Sequence, residues 1–113
     1  MRKIEEQMIN AINEEKDWRN DNTSVRVIHE GILYTPSYNK RIEVRLFDNL
    51  IATIHDTGRM TISSCGWRRP TTKSRLNALL REYANTGIYH KNRVWYMGDN
   101  EEFYDNMTVP VRY

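Results

Sequence analysis

The sequence is poor in the residues that staple, anchor or interrupt a chain. Its single cysteine, Cys65, excludes an intramolecular disulfide and cannot build a thiolate zinc cage. No apolar run approaches the roughly 20 residues that a membrane-spanning helix needs, so no membrane partner is expected. The N-terminal "MRKIEEQMIN" has no apolar h-region, which predicts no secretory signal. Together with the missing disulfide, this leads us to expect the reducing cytoplasm of a bacterial host cell. Glycine and proline number five and three, and neither clusters into a linker, so one domain over 1–113 is expected. A glycine-rich phosphate loop is absent. Carboxylates are not spaced to converge on a metal ion, and His29, His55 and His90 lack zinc-type spacing. A pair between Cys65 and His55 across a hairpin is the only nucleophile geometry on offer. The expectation is therefore no catalytic residue, no metal and no cofactor.

What the chain does have is charge, and it is segregated. The formal net charge is only +2, but residues 24–97 hold twelve cations and five anions. The flanking segments are acidic: four cations and six anions in 1–23, one cation and four anions in 98–113. A basic middle between acidic ends suggests a polar partner surface, with an ordinary mixed, solvated exterior as the plain alternative. The acidic run Asp99, Glu101, Glu102 and Asp105 reads as a partly packed loop beside Phe103 and Tyr104.

Periodicity divides the chain. Residues 3–16 carry Ile4, Met8, Ala11 and Ile12 on one face, which predicts an amphipathic helix within an N-terminal segment 1–20. That stripe also offers a seam for a dimer through Ile4, Met8 and Ile12. Alternation begins at Ser24–Val27, with a short strand expected around Ile32–Tyr34. It then runs through Ile42–Leu46, Leu50–Ile54 and Met60–Ile62, with tight turns at Asp48–Asn49 and 56–58, an antiparallel meander. The period then lengthens to helical spacing at Leu76, Leu79, Leu80 and Tyr83, with Thr71 or Thr72 as cap and "NTG" at 85–87 as stop. A hairpin is expected from Ile88–Tyr89 to Val94–Met97, with Trp95 turned into the core, and an edge strand near Pro110. The fold class is α+β: an antiparallel sheet of 4–6 strands packed by one or two helices, with 24–113 as its core.

The stretch "GWRRPTTKSR" at 66–75 raises the functional question. Arg68, Arg69, Lys73 and Arg75 crowd a helix start that already carries partial positive charge, which costs roughly 0.3–1 kcal/mol per cation. An anion relieves that crowding, and the hydroxyls of Thr71, Thr72 and Ser74 suit phosphate oxygens. Trp67 is either core or a platform for a base. Lys73, Asn77 and Arg81 share a helix face, either a solvated stripe or a groove reader. The binding residues expected are thus Trp67, Arg68, Arg69, Thr72, Lys73, Arg75, Asn77 and Arg81.

The order of pieces resembles a family of small tailed-phage proteins with the pattern G-W-x-T-x-T-T-K-x-R-[IL]-N, a later Y-x-K and W-Y, and a closing F-x-D-G-M-T. Gly66, Trp67, Thr71, Thr72, Lys73, Arg75, Leu76 and Asn77 match, as do Tyr89, Lys91, Trp95, Tyr96, Phe103, Asp105, Met107 and Thr108. The match covers residues 23–109. Cys65 and Asn106 stand where the pattern has glycine, and Arg69–Pro70 replaces a small or β-branched neighbour. The resemblance implies a phage gene expressed in a bacterial cell. Small size and missing catalytic residues add the expectation of a non-enzymatic accessory protein that binds. Its target would be a bacterial protein or nucleoprotein, such as a Cas effector inhibited in the anti-CRISPR manner. A sequence-tolerant DNA- or RNA-binding module is the alternative, and a small phosphodiester-processing enzyme a third reading.

Overall fold

The alternating segments form a six-stranded antiparallel sheet in the computed structural model, which describes residues 1–113. Its strands are β1 (Trp18–Asn20), β2 (Thr23–Glu30), β3 (Asn39–Leu46), β4 (Asn49–His55), β5 (Arg59–Ile62) and β9 (Met107–Pro110), in the order β1-β2-β3-β4-β5-β9. Register aligns the apolar positions into rows on one face. Val25, Val44, Ala52, Ile62 and Met107 make one row, and Val27, Ile42, Ile54, Met60 and Val109 the next. β9 lies at the edge, where Pro110 withholds no ladder hydrogen bond from a further strand. The opposite face carries Arg26, Glu43, Thr53, Thr61 and Thr108 in one row.

Two helices cover the apolar face. α1 (Lys3–Asn13) buries Met8, Ile9, Ala11 and Ile12, and α2 (Pro70–Tyr83) buries Leu76, Ala78, Leu79, Leu80 and Tyr83. Met8 and Ile12 are completely buried against this chain's own sheet and α2. The dimer seam expected through Ile4, Met8 and Ile12 is therefore corrected: two of its three members are already spent on the core. No helix is long and apolar enough to cross a membrane.

A second, three-stranded sheet comprises β6 (Ile88–Lys91), β7 (Val94–Met97) and β8 (Glu101–Glu102). Asn92 and Arg93, both with positive φ (54° and 67°), turn the β6–β7 hairpin in the sense that matches strand twist. Trp95 and Met97 point inward, as alternation required. The expected strand at Ile32–Tyr34 is instead an exposed turn, because Gly31 and Tyr34 take left-handed φ values of 83° and 67°. A Cβ on Gly31 would lie 2.1 Å from the Ser37 carbonyl oxygen, so this loop closes only on glycine. The β3–β4 turn centres on Phe47 and Asp48, one residue before the expected dipeptide.

Candidate functional site

The link from β5 to α2 sets the site. Cys65 and Gly66 adopt left-handed φ values of 53° and 77°, and the Trp67 N–H donates to the Ser64 carbonyl at 2.8 Å. Glycine is favoured at such a backbone, which explains why the phage pattern has it where this chain has Cys65. Asn106, with φ 68°, explains the second departure in the same way. The Cys65 thiol donates to the Leu50 carbonyl at 3.0 Å, while His55 Nε2 meets Thr61 Oγ1 at 3.0 Å. The thiol and the imidazole are thus engaged elsewhere and do not form a nucleophile pair.

Asp105 fixes this link from 41 residues away. Its Oδ1 accepts from the Ser64 backbone N–H at 2.8 Å and from Ser64 Oγ at 2.7 Å. Burial alone would raise its carboxyl, but the Ser64 donors, the Gly66 backbone and the Arg68 charge outweigh that and hold it below the usual 3.8. A depressed carboxyl stabilises the fold above its unfolded value and loses that contribution as pH falls through the folded one. Asp105→Asn is therefore expected to cost about 1.5–3 kcal/mol at pH 7, the range for hydrogen bonds to a charged acceptor. It should also flatten the decline of stability below about pH 4. Urea midpoints of both proteins between pH 3 and 7 check this.

α2 begins at Pro70, with Arg69 as N-cap and no side chain accepting from the first-turn N–H groups. The cap expected at Thr71 or Thr72 is not formed: both lie inside the helix, and Thr72 is buried. Beside this helix start lies a cavity of about 290 Å³ lined by Arg68, Arg69, Pro70, Lys73, His90, Arg93 and Trp95. Five of these seven side chains are basic and none is a carboxylate. The Arg68 guanidinium sits 5.6 Å from the Trp95 ring centre and 5.3 Å from that of Phe103. Arg69 sits 5.3 Å from the Trp67 ring centre. The Lys73 ammonium is 2.9 Å from His90 Nδ1, which must accept, since an ammonium only donates.

Several cations elsewhere are ion-paired. Arg41 and Arg45 flank Glu43 on the open sheet face, Arg19 meets Asp48, and Lys40 meets Glu15. Arg68, Arg69, Lys73 and Arg93 form no ion pair within 4.0 Å. Arg68 and Arg69 lie over aromatic faces, Lys73 meets the His90 imidazole, and the Arg68 charge also acts on the Asp105 carboxylate.

Four of the expected binding residues are not at this surface. Arg75 is buried and ion-paired to Glu5 at 2.8 Å, so its charge is already neutralised inside the protein. Asn77 is buried and holds the β6 backbone, its Nδ2 donating to the Ile88 carbonyl and its Oδ1 accepting from the Ile88 N–H. Thr72 is enclosed as described. Arg81 is exposed two turns beyond Lys73 and does not line this cavity; it lines a neighbouring groove with Arg2, Ser74 and Asn77, which Pro70 and Lys73 share with the cavity. Trp67, Arg68, Arg69 and Lys73 remain together. His90 and Arg93 join them from the β6–β7 hairpin; sequence spacing did not connect them to α2.

A second cavity, of about 250 Å³, adjoins the first through Arg69 and is lined by Leu46, Phe47, Asn49, Ile51, Ser64, Trp67, Thr71 and Thr72. Trp67 is 55% exposed, which settles its alternatives against core.

The family model described as Kyanoviridae Gp96 protein matches residues 1–110. It takes in α1, which the resemblance over 23–109 had left outside. No curated protein and no solved structure matches the chain.

Proposed function

We propose that this chain, which belongs to the phage family Kyanoviridae Gp96 protein, acts by binding, and that its basic pocket holds the phosphate backbone of a nucleic acid. One observation carries the reading. Arg68, Arg69, Lys73 and Arg93, none of them in an ion pair, line one cavity that no carboxylate lines, beside an uncapped helix start. Phosphate supplies negative charge, and its oxygens suit the forked guanidinium donors and the Lys73 ammonium. The counter-defence form of this reading places the same pocket against nucleic acid carried by a host nucleoprotein of the CRISPR-effector kind. Phage membership and small size favour that form.

The test is fluorescence anisotropy with a labelled single-stranded oligonucleotide at two salt concentrations. Affinity should fall with salt as counterions are released. The double variant Arg68→Glu/Lys73→Glu should bind about ten- to hundredfold more weakly, with a salt slope reduced by about 2. Both side chains leave the core intact, so circular dichroism should be unchanged. Undiminished binding by the folded variant refutes the pocket. Capture from bacterial lysate with and without nuclease separates naked nucleic acid from a nucleoprotein target.

A further inference from the structure

We propose, resting on the phosphate-binding reading above, that the adjoining cavity between Phe47 and Trp67 is a base-sized subsite, so that the two cavities together take a nucleotide unit of single-stranded nucleic acid. Phe47 and Trp67 are 67% and 55% exposed, and both line this cavity. Leu46 and Ile51, both buried, supply further apolar lining. A volume near 250 Å³ falls below the roughly 300–1,000 Å³ of drug-sized sites and suits one planar ring system.

Folding does not explain the two aromatics. Phe47 stands at the first central position of the β3–β4 turn with φ 50°, where Asn or Gly is preferred and a bulky side chain is strained. The chain thus carries both a conformational cost and an exposed ring at one residue. Trp67 is held out of the core by the left-handed pair Cys65–Gly66. Ring faces presented in this way bind a base by stacking, whatever its identity. Asn49 and Thr71 add hydrogen-bonding groups to the lining.

Arg69 belongs to both cavities, with its guanidinium over the Trp67 ring. A ligand spanning them has a flat apolar part on one side of Arg69 and a strongly anionic part on the other. A nucleotide has that construction. Single-stranded nucleic acid is favoured over duplex because the faces of paired bases are already stacked and do not reach the rings.

The experiment compares two probes, oligothymidylate and inorganic polyphosphate of similar charge, on wild type, Trp67→Ala and Phe47→Ala. Both substitutions remove exposed side chains, and circular dichroism verifies the fold. Each variant should bind oligothymidylate about five- to hundredfold more weakly; Phe47→Ala should keep its polyphosphate affinity, and Trp67→Ala, which also removes the ring beside Arg69, should lose less on polyphosphate than on oligothymidylate. Equal loss on both probes, or no loss on oligothymidylate, overturns the subsite while leaving the phosphate pocket standing. Duplex DNA bound as tightly as the single strand, with the same sensitivity to Trp67, also overturns it. If wild type binds neither probe, the phosphate reading fails first and the subsite falls with it.

Discussion

Glu5→Gln is expected to destabilise the protein by about 3–5 kcal/mol, the range for breaking a buried ion pair from one side. Glu5 and Arg75 are each only 3% exposed and meet at 2.8 Å. The Arg75 guanidinium also donates to Thr23 Oγ1 at 2.9 Å and to Asn22 Oδ1 at 3.3 Å, while Ser74 Oγ donates to Glu5 at 2.6 Å. One charge cluster thus ties α1, the start of β2 and α2 together. Glutamine preserves the volume but leaves the guanidinium buried without its counter-charge. Against a total stability of roughly 5–15 kcal/mol for a small domain, that loss is large. Urea denaturation should show a lower midpoint with little change of slope. Pairing Glu5→Met with Arg75→Leu should recover most of the loss, because no charge is then left inside. A cost below about 1 kcal/mol for Glu5→Gln would mean that the pair does not hold the layers together.

Phe103→Ala is expected to cost about 3–5 kcal/mol and to weaken phosphate binding as well. Phe103 is almost fully buried, packs edge-on against Trp95 at 5.5 Å, and lies under Arg68. Its N–H donates to the Trp95 carbonyl at 2.9 Å, tying the segment after β8 to β7. Truncation opens a cavity and removes half of the aromatic platform under the guanidinium, a contact worth about 0.5–2 kcal/mol. Phe103→Leu separates the two roles. It should restore most of the stability and leave oligonucleotide binding severalfold weaker, since leucine fills space but offers no ring face. Chemical denaturation and anisotropy on the same three proteins check both outcomes. Wild-type binding by Phe103→Leu would show that the platform does not position Arg68.

The corrections have a common cause. Arg68, Arg69 and Lys73 were legible as a surface cluster because their neighbours in sequence already crowd a helix start. Arg75 looked the same on that criterion, yet its counter-charge, Glu5, lies 70 residues away in the chain. Asn77 fell on the polar side of a helical wheel, but β6 packs there and uses both of its amide atoms. His90, Arg93 and Phe47 were missed as site residues because each sits at or beside a hairpin turn on another element. The Asn92–Arg93 turn was the one signal that could have drawn attention to Arg93. Asp105 read as one of an acidic run, whereas the closing motif places it under Ser64.

The sequence by itself determined the α+β class, the meander, both helices and the excess of positive charge before α2. Those properties follow from the spacing of apolar residues, which each segment carries locally as period two or period 3.6. Tertiary structure alone decided which cations are neutralised, which polar residues are spent on the fold, and that two cavities meet at Arg69. Charge compensation and concavity depend on distances between segments far apart in the chain, and no local periodicity encodes those distances.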